Sequence, residues 1–462
     1  MTSLFSRRLL LLGAAAAALL SACATGPSSN TANAGQPPIV FVHGNGDTAS
    51  VWTTTIWRFE SNGWPRERLH AIDLPYPLAR EDDGKPQEGR TSTAEHMQYL
   101  SAEVDKVLKA TGAAKVVLMG NSRGGNAIRN YIANGGGSAK VSHAILGGTP
   151  NHGVWAHQAF LPNSEFNGSG PFLMALNNAT SMGGNEVTPG VKWLTVRSDN
   201  NDKFAQADGV WIGQKGTATN VTASGPELKG ADNVVIAGID HRETSFSAKA
   251  FEQGYRFITG NAPATLAVTP QAQVVLDGKL SGLGLNNTQG TYANNLPLVA
   301  ATVEVFATNV DTGERSGAAL YRKTVGADGL WGPFTGSPEA RYEFVITATG
   351  YATTHVYRSP FPRSSNVAGL RAARIADADK GAAAIVTLDR PRGYFGLPRD
   401  QISLDGKAPP GVPPGTAGVS SAKLKLSDSP GRAVVGEFNG ERIVGRAWPA
   451  ANNELVTLEL TY

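Results

Sequence analysis

The chain has a single cysteine, Cys23, in 462 residues, so no internal disulfide can form and stability has to come from packing. Charge is also scarce. Only 17% of residues are charged, and 41 Lys and Arg against 38 Asp and Glu leave a formal net charge of +3. No basic stripe is present, which argues against nucleic acid as a partner. The apolar run LLLLGAAAAALL at 9–20 is short of the about 20 residues that a bilayer span needs. Histidine is limited to eight positions, so few side chains are available as bases near neutral pH. Glycine (54) and proline (27), by contrast, are plentiful, which favours loops and β structure. The length exceeds the roughly 150 residues of an ordinary domain, so two or three are expected.

Arg7 and Arg8 precede the apolar run, which ends in Leu20-Ser21-Ala22-Cys23. A charged start, a short apolar stretch and small residues read as an export signal over 1–23. Ser6-Arg7-Arg8-Leu9-Leu10 resembles a twin-arginine signal, although general secretory signals carry paired arginines too. Leu20-Ser21-Ala22-Cys23 resembles a lipobox, in which Cys23 would be acylated and become the mature N-terminus. The alternative is a cysteine lost with an ordinary signal peptide. Ala24 follows the cysteine, which points to an outer-membrane lipoprotein or an extracellular protein. Residues 24–36 are small, polar and unpatterned, as in a flexible tether.

From 37 to 262 apolar runs alternate with helical patterns. Strands are expected at 38–42, 69–74, 115–119, 141–146, 191–196 and 233–237, with helices at 50–62, 93–110, 123–133 and 244–258. This predicts an α/β domain with a mostly parallel central sheet covered on both faces. Beyond 263 the pattern becomes short alternating runs, such as those at 301–307, 342–348 and 455–460, separated by turn residues. That region reads as all-β, a sandwich or partly open barrel. The proline-rich stretch at 409–414 allows two modules within it, 263–380 and 381–462. Trp331, Phe334 and Tyr357 are candidates for binding lipid or polymer, with the region's own core as the default place for aromatics in strands.

Gly120-Asn121-Ser122-Arg123-Gly124 lies between a predicted strand and a predicted helix, the setting of a nucleophile elbow. There Ser122 sits on a tight turn with its hydroxyl above the sheet, and small flanking glycines let neighbouring backbone approach. The first-turn amide of Arg123 points at a developing oxyanion. His43-Gly44-Asn45-Gly46 follows the first strand, where the arrangement to which a nucleophile elbow belongs places a second amide donor, expected here to be that of Asn45; His43 itself is read as structural. A base should come late in the chain, and His241, past the strand at 233–237, has that setting. His152, in a Gly-Thr-Pro turn, is the rival. The acid that orients the base should lie past the strand at 191–196, where Asp202 is preferred and Asp199 and Asp208 remain open. The same Asp/Asn cluster lacks the closing glutamate of a calcium loop, so no metal site is expected. The stretch 151–189, with Phe160, Phe166, Phe172, Leu173, Met174 and Leu176, reads as a lid or as a packing insertion.

With these residues in place, the chain resembles lipases and esterases of the α/β-hydrolase superfamily, and more closely Archaeoglobus-type lipases with a C-terminal β domain. The stretches VFVHG, RFESNGWP, ATGAAKVVLMGNSRGG and YRSPFPR carry the resemblance. It implies carboxylic-ester hydrolysis without a cofactor, through an acyl-enzyme, on lipid or other ester substrates, with a β domain that assists lipid binding. The departures are Asn121 where histidine is usual, Arg123 where a small or apolar residue is common, and Gly147-Gly148-Thr149 where those lipases carry the acid. A polyester depolymerase, or a surface binding protein on an inactive hydrolase fold, are the other readings. Oligomeric state is not legible.

Overall fold

Six parallel strands form the central sheet: β1 (Ile39–Val42), β2 (Leu69–Ile72), β3 (Val116–Asn121), β4 (Val141–Gly147), β5 (Lys192–Ser198) and β6 (Asp232–Ile236). Their spatial order is β6-β5-β4-β3-β1-β2. The helices among them are α1 (Thr53–Ser61), α2 (Thr93–Thr111), α3 (Arg123–Asn134), α4 (Pro171–Leu176), α5 (Glu243–Phe246) and α6 (Ala248–Thr259). The structure, a computed structural model, describes residues 35–178, 183–285, 291–428 and 431–462. The expected signal and Cys23 lie outside the described residues.

The continuous apolar character of β1 and β3 follows from burial on both faces. Side chains alternate across a strand, so Ile39 and Phe41 join Trp52, Phe59, Phe246 and Phe251 on one side. Val40 and Val42 join Leu100, Val104, Ile128 and Tyr131 on the other. Each such side chain, fully buried, contributes about 1.5–3 kcal/mol. Helix α2 starts on a reciprocal cap, Ser92 accepting from the Glu95 amide while Glu95 accepts from that of Ser92, and stops at Gly112, whose φ of +66° suits glycine.

The C-terminal region is all-β. Strands β7 (Thr302–Thr308), β8 (Tyr321–Thr324), β9 (Arg341–Thr347), β10 (Thr353–Arg358), β11 (Ala384–Asp389), β12 (Ser421–Leu426) and β13 (Glu454–Glu459) make one sheet ordered β8-β7-β9-β10-β13-β11-β12. Strand β13 runs parallel to both β10 and β11 and joins the two halves of the region. A three-stranded sheet of Ile402–Leu404, Ala433–Phe438 and Glu441–Arg446 packs its Val434, Phe438 and Ile443 against Val386, Leu388 and Leu458 of the larger sheet. Two packed sheets make a sandwich. Trp331, Phe334 and Tyr357 are all buried.

Residues Pro37–Tyr462 form one compact unit. Trp57 of α1 shows how. It lies within the core built by Trp331, Phe344 and Phe361, meets Phe361 edge-on at 6.0 Å, and donates its indole N–H to the Ser364 carbonyl at 2.9 Å.

Candidate active site

Ser122, the loop 43–46, Asp202 and His241 all lie just beyond the C-terminal ends of central strands, β3, β1, β5 and β6 respectively. This is the edge where open parallel sheets hold ligands. Ser122 is the turn residue between β3 and α3, with φ +52° and ψ −123°, a conformation that side-chain-bearing residues rarely adopt. Two glycines make the turn possible. A Cβ on Gly124 would stand 2.5 Å from the Val42 carbonyl oxygen and 2.6 Å from that of His43, and one on Gly120 would stand 2.8 Å from the Gly125 nitrogen. The start of α3 therefore rests directly on the end of β1, and the loop 43–46 lies beside the serine: a Cβ on Gly44 would sit 3.2 Å from Ser122 Cβ. Arg123 opens α3, where a backbone N–H has no partner within the helix. The Asn45 side chain accepts from the Ala79 amide at 2.8 Å, which holds the loop.

His241 and Asp202 meet across 39 residues: the imidazole Nδ1 stands 2.8 Å from each carboxylate oxygen, and both side chains are almost fully buried. Phe204 packs edge-on against the ring at 4.7 Å. The Nε2 of His241 is buried and without a hydrogen-bond partner. Gly147 and Gly148 lie between this pair and the serine. The Ser122 amide donates to the Gly147 carbonyl at 2.9 Å, and a Cβ on Gly148 would lie 3.1 Å from His241 Nδ1.

The other candidates are elsewhere. Asp199 accepts from the Asn200 and Gly238 amides, and Asp208 from the Val210 amide, both as turn residues. His43 bonds the Gly44 carbonyl through Nδ1 and takes the Leu74 amide on Nε2. His152 lies between the Gly225 carbonyl and Glu186.

Residues 36–162 match the family model for lipase (class 2), and residues 272–375 match that for the lipase C-terminal domain. The chain is an α/β-hydrolase of the lipase and esterase type. Among solved structures, Bacillus licheniformis lipase BlEst2 in its propeptide form is similar at 15% identity and a TM-score of 0.36, covering 89% of this chain and 92% of that one. Its mature form shows 20% identity and a TM-score of 0.33, over 48% of this chain and 89% of that one. Bacillus subtilis carboxylesterase CesB shows 13% identity and a TM-score of 0.28, over 51% and 86%.

In this hydrolase, two buried arginines of α3 reach into the segment 151–177. Arg123 pairs with Glu165, and Arg129 donates to the carbonyls of Asn151 and Leu176 and to the Asn177 side chain. Burial lowers Arg129 to about 10. Leu173 and Leu176 of α4 are buried, whereas Met174 is exposed. A cleft of about 730 Å³ lies beside the loop at Gly46 and Asp47, between the central sheet and the β region, and Arg242, Arg371, Asp389 and Glu459 line it. Ser122 is not on its wall.

The Arg123–Glu165 contact is a feature that the motif alone does not disclose. Its signal was present, however: an arginine in the first turn of a buried helix calls for a carboxylate, and 151–189 holds only Glu165 and Glu186. A second such feature is Asp240, wholly buried beside His241 and held by Arg390 and Arg399 of the β region. No local pattern marks that connection.

Proposed function

We propose that this protein hydrolyses carboxylic esters through a Ser122-His241-Asp202 triad and an acyl-enzyme. The observation that carries the reading is the two-oxygen contact of Asp202 with His241 Nδ1 at 2.8 Å, beside a serine in the strained elbow conformation. With Nδ1 committed to Asp202, Nε2 is the nitrogen left to take the Ser122 proton and later return it to the leaving alcohol. Ser122 Oγ attacks the ester carbonyl, and the oxyanion that forms is met by the backbone amides of Arg123 and Asn45. Water, deprotonated by the same Nε2, then releases the acid. The buried setting of the pair supports strong electrostatic coupling to the imidazolium that forms.

Substrates in this reading are lipids or related esters. Export, with acylation of Cys23 and residence at the outer membrane or outside the cell, is part of the same proposal; metabolic labelling with a radioactive fatty acid that is lost in Cys23→Ser tests it. The hydrolytic reading is tested with p-nitrophenyl esters of increasing chain length, the wild type beside Ser122→Ala. Turnover that disappears in the variant supports it, and turnover equal in both would overturn it.

A further inference from the structure

The loop that carries His241 is fastened from the far end of the chain. Asp240 has no solvent exposure, and its Oδ2 accepts from Arg390 Nη1 at 2.9 Å, from the Tyr394 amide at 2.8 Å and from Arg399 Nη2 at 3.3 Å. Its Oδ1 accepts from the Arg242 and Glu243 amides at 2.9 and 3.0 Å, in the turn that leads from the histidine into α5. Arg390 and Arg399 also reach the two oxygens of Glu243, at 2.6 and 2.9 Å. Burial opposes the charge of Asp240, yet Arg390 and Arg399 outweigh it and hold the carboxyl below its ordinary range.

The acid loop is held from the same direction. Asn201 accepts from the Ala417 amide at 2.9 Å. Lys203 donates to the Gly418 carbonyl at 2.8 Å and lies over the Tyr394 ring at 4.0 Å. Residues on both sides of the His241–Asp202 contact are thus tied to the β region, while neither of the two side chains is itself touched by an arginine from it.

We infer that Arg390 and Arg399 are positioning residues for His241, acting through Asp240, so that the C-terminal β region completes the active site. This inference rests on the hydrolytic reading of Ser122, His241 and Asp202. The physical reason is that a fully buried carboxylate adjacent in sequence to the base stays in place only while its charge is met. Without the arginines the turn at 238–243 must move toward solvent or toward other donors, and the imidazole moves with it.

The test uses the full mature chain and two readouts: turnover of p-nitrophenyl butyrate, and the rate at which a fluorescent alkylphosphonate labels Ser122. Arg390→Met and Arg399→Met are expected to lower kcat about 100-fold, the cost of a misplaced catalytic group, with KM unchanged and labelling slowed in parallel. Arg390→Lys is expected to restore most of the rate, since it returns a cation to Asp240. Arg432→Met, which breaks an ion pair with Asp405 and Asp428 on the β region, is the control for general destabilisation and is expected to keep wild-type kcat. Arg399, whose side chain keeps 24% exposure, carries the test should Arg390→Met fail to fold. Folded variants of both arginines with wild-type kcat and labelling rates would overturn the inference. If the wild type labels but hydrolyses no ester, the ester reading fails and the labelling rates still decide the role of the arginines. If it does neither, Ser122 is not activated and both readings fall.

Discussion

Arg123 and Glu165, 42 residues apart, form a two-pronged ion pair with both N···O distances at 2.8 Å and side-chain exposures of 1% and 3%. The arginine follows Ser122 directly and opens α3, while its guanidinium turns to Glu165. The Pro77 and Thr91 carbonyls take two further donors at 3.0 and 2.6 Å. Few arrangements satisfy a buried guanidinium so fully, and one consequence is a strong dependence on the partner.

Arg123→Met is expected to lose about 3–5 kcal/mol of stability, because it leaves Glu165 buried without a counter-charge. Adding Glu165→Gln should return a large part of that loss. Urea unfolding of the wild type, both single variants and the double variant closes the cycle, and an additive double variant would show that the pair is not coupled.

Asp202→Asn is expected to lower kcat by about 10³–10⁴-fold with little change in Tm, since the amide cannot hold the imidazole in the required tautomer or meet its charge. Asp199→Asn should stay near wild type, because Asp199 bonds turn amides and not His241. Steady-state kinetics on a soluble ester distinguishes the two.

Gly124→Ala is expected to abolish turnover and lower Tm. Its Cβ would stand 2.5 Å from a backbone oxygen of β1, and the contact joins sheet backbone to the first turn of α3, neither of which can yield cheaply. Turnover near wild type in the alanine variant would show that α3 can shift away from β1.

Asp389, in the cleft between sheet and β region, is raised to about 7 by burial and by Glu459, against the pull of Arg242, Arg371 and Arg358. The folded state therefore holds this proton more tightly than the unfolded chain, whose carboxyl titrates near its ordinary 3.8. The stability it contributes is present at about pH 4 and is lost as pH rises toward 7. Asp389→Asn removes that penalty, so its Tm should exceed that of the wild type at pH 8, with the difference narrowing toward pH 4. Parallel melting curves across that range would check it, and a difference independent of pH would refute it.

Much of the α/β portion was legible because its signals are local. The apolar run 38–42 becomes a strand at Ile39–Val42, and Gly112 ends α2 as its position after the periodic stretch indicates. Boundaries moved by a few residues where hydrogen bonding differs from pattern: the expected helix from 50 opens as a 3-10 turn at Ala49–Trp52, its first amides held by Thr48 and Asp73. In the β region the sequence disclosed strands but not their partners. That β13, nearly the last segment, runs between β10 and β11 is a pairing across about a hundred residues on one side, which no local pattern encodes.

The sequence by itself determined the sheet-and-helix order, the elbow at Ser122 and the places of Asp202 and His241 after their strands, because propensity, periodicity and turn chemistry act over a few residues. Tertiary structure alone decided which aspartate meets the imidazole, where the Arg123 guanidinium goes, and that Arg390 and Arg399 close over Asp240. Those are contacts between buried charges far apart in the chain. Each exists because burial leaves a charge no partner but another side chain, and only the completed packing brings that side chain within reach.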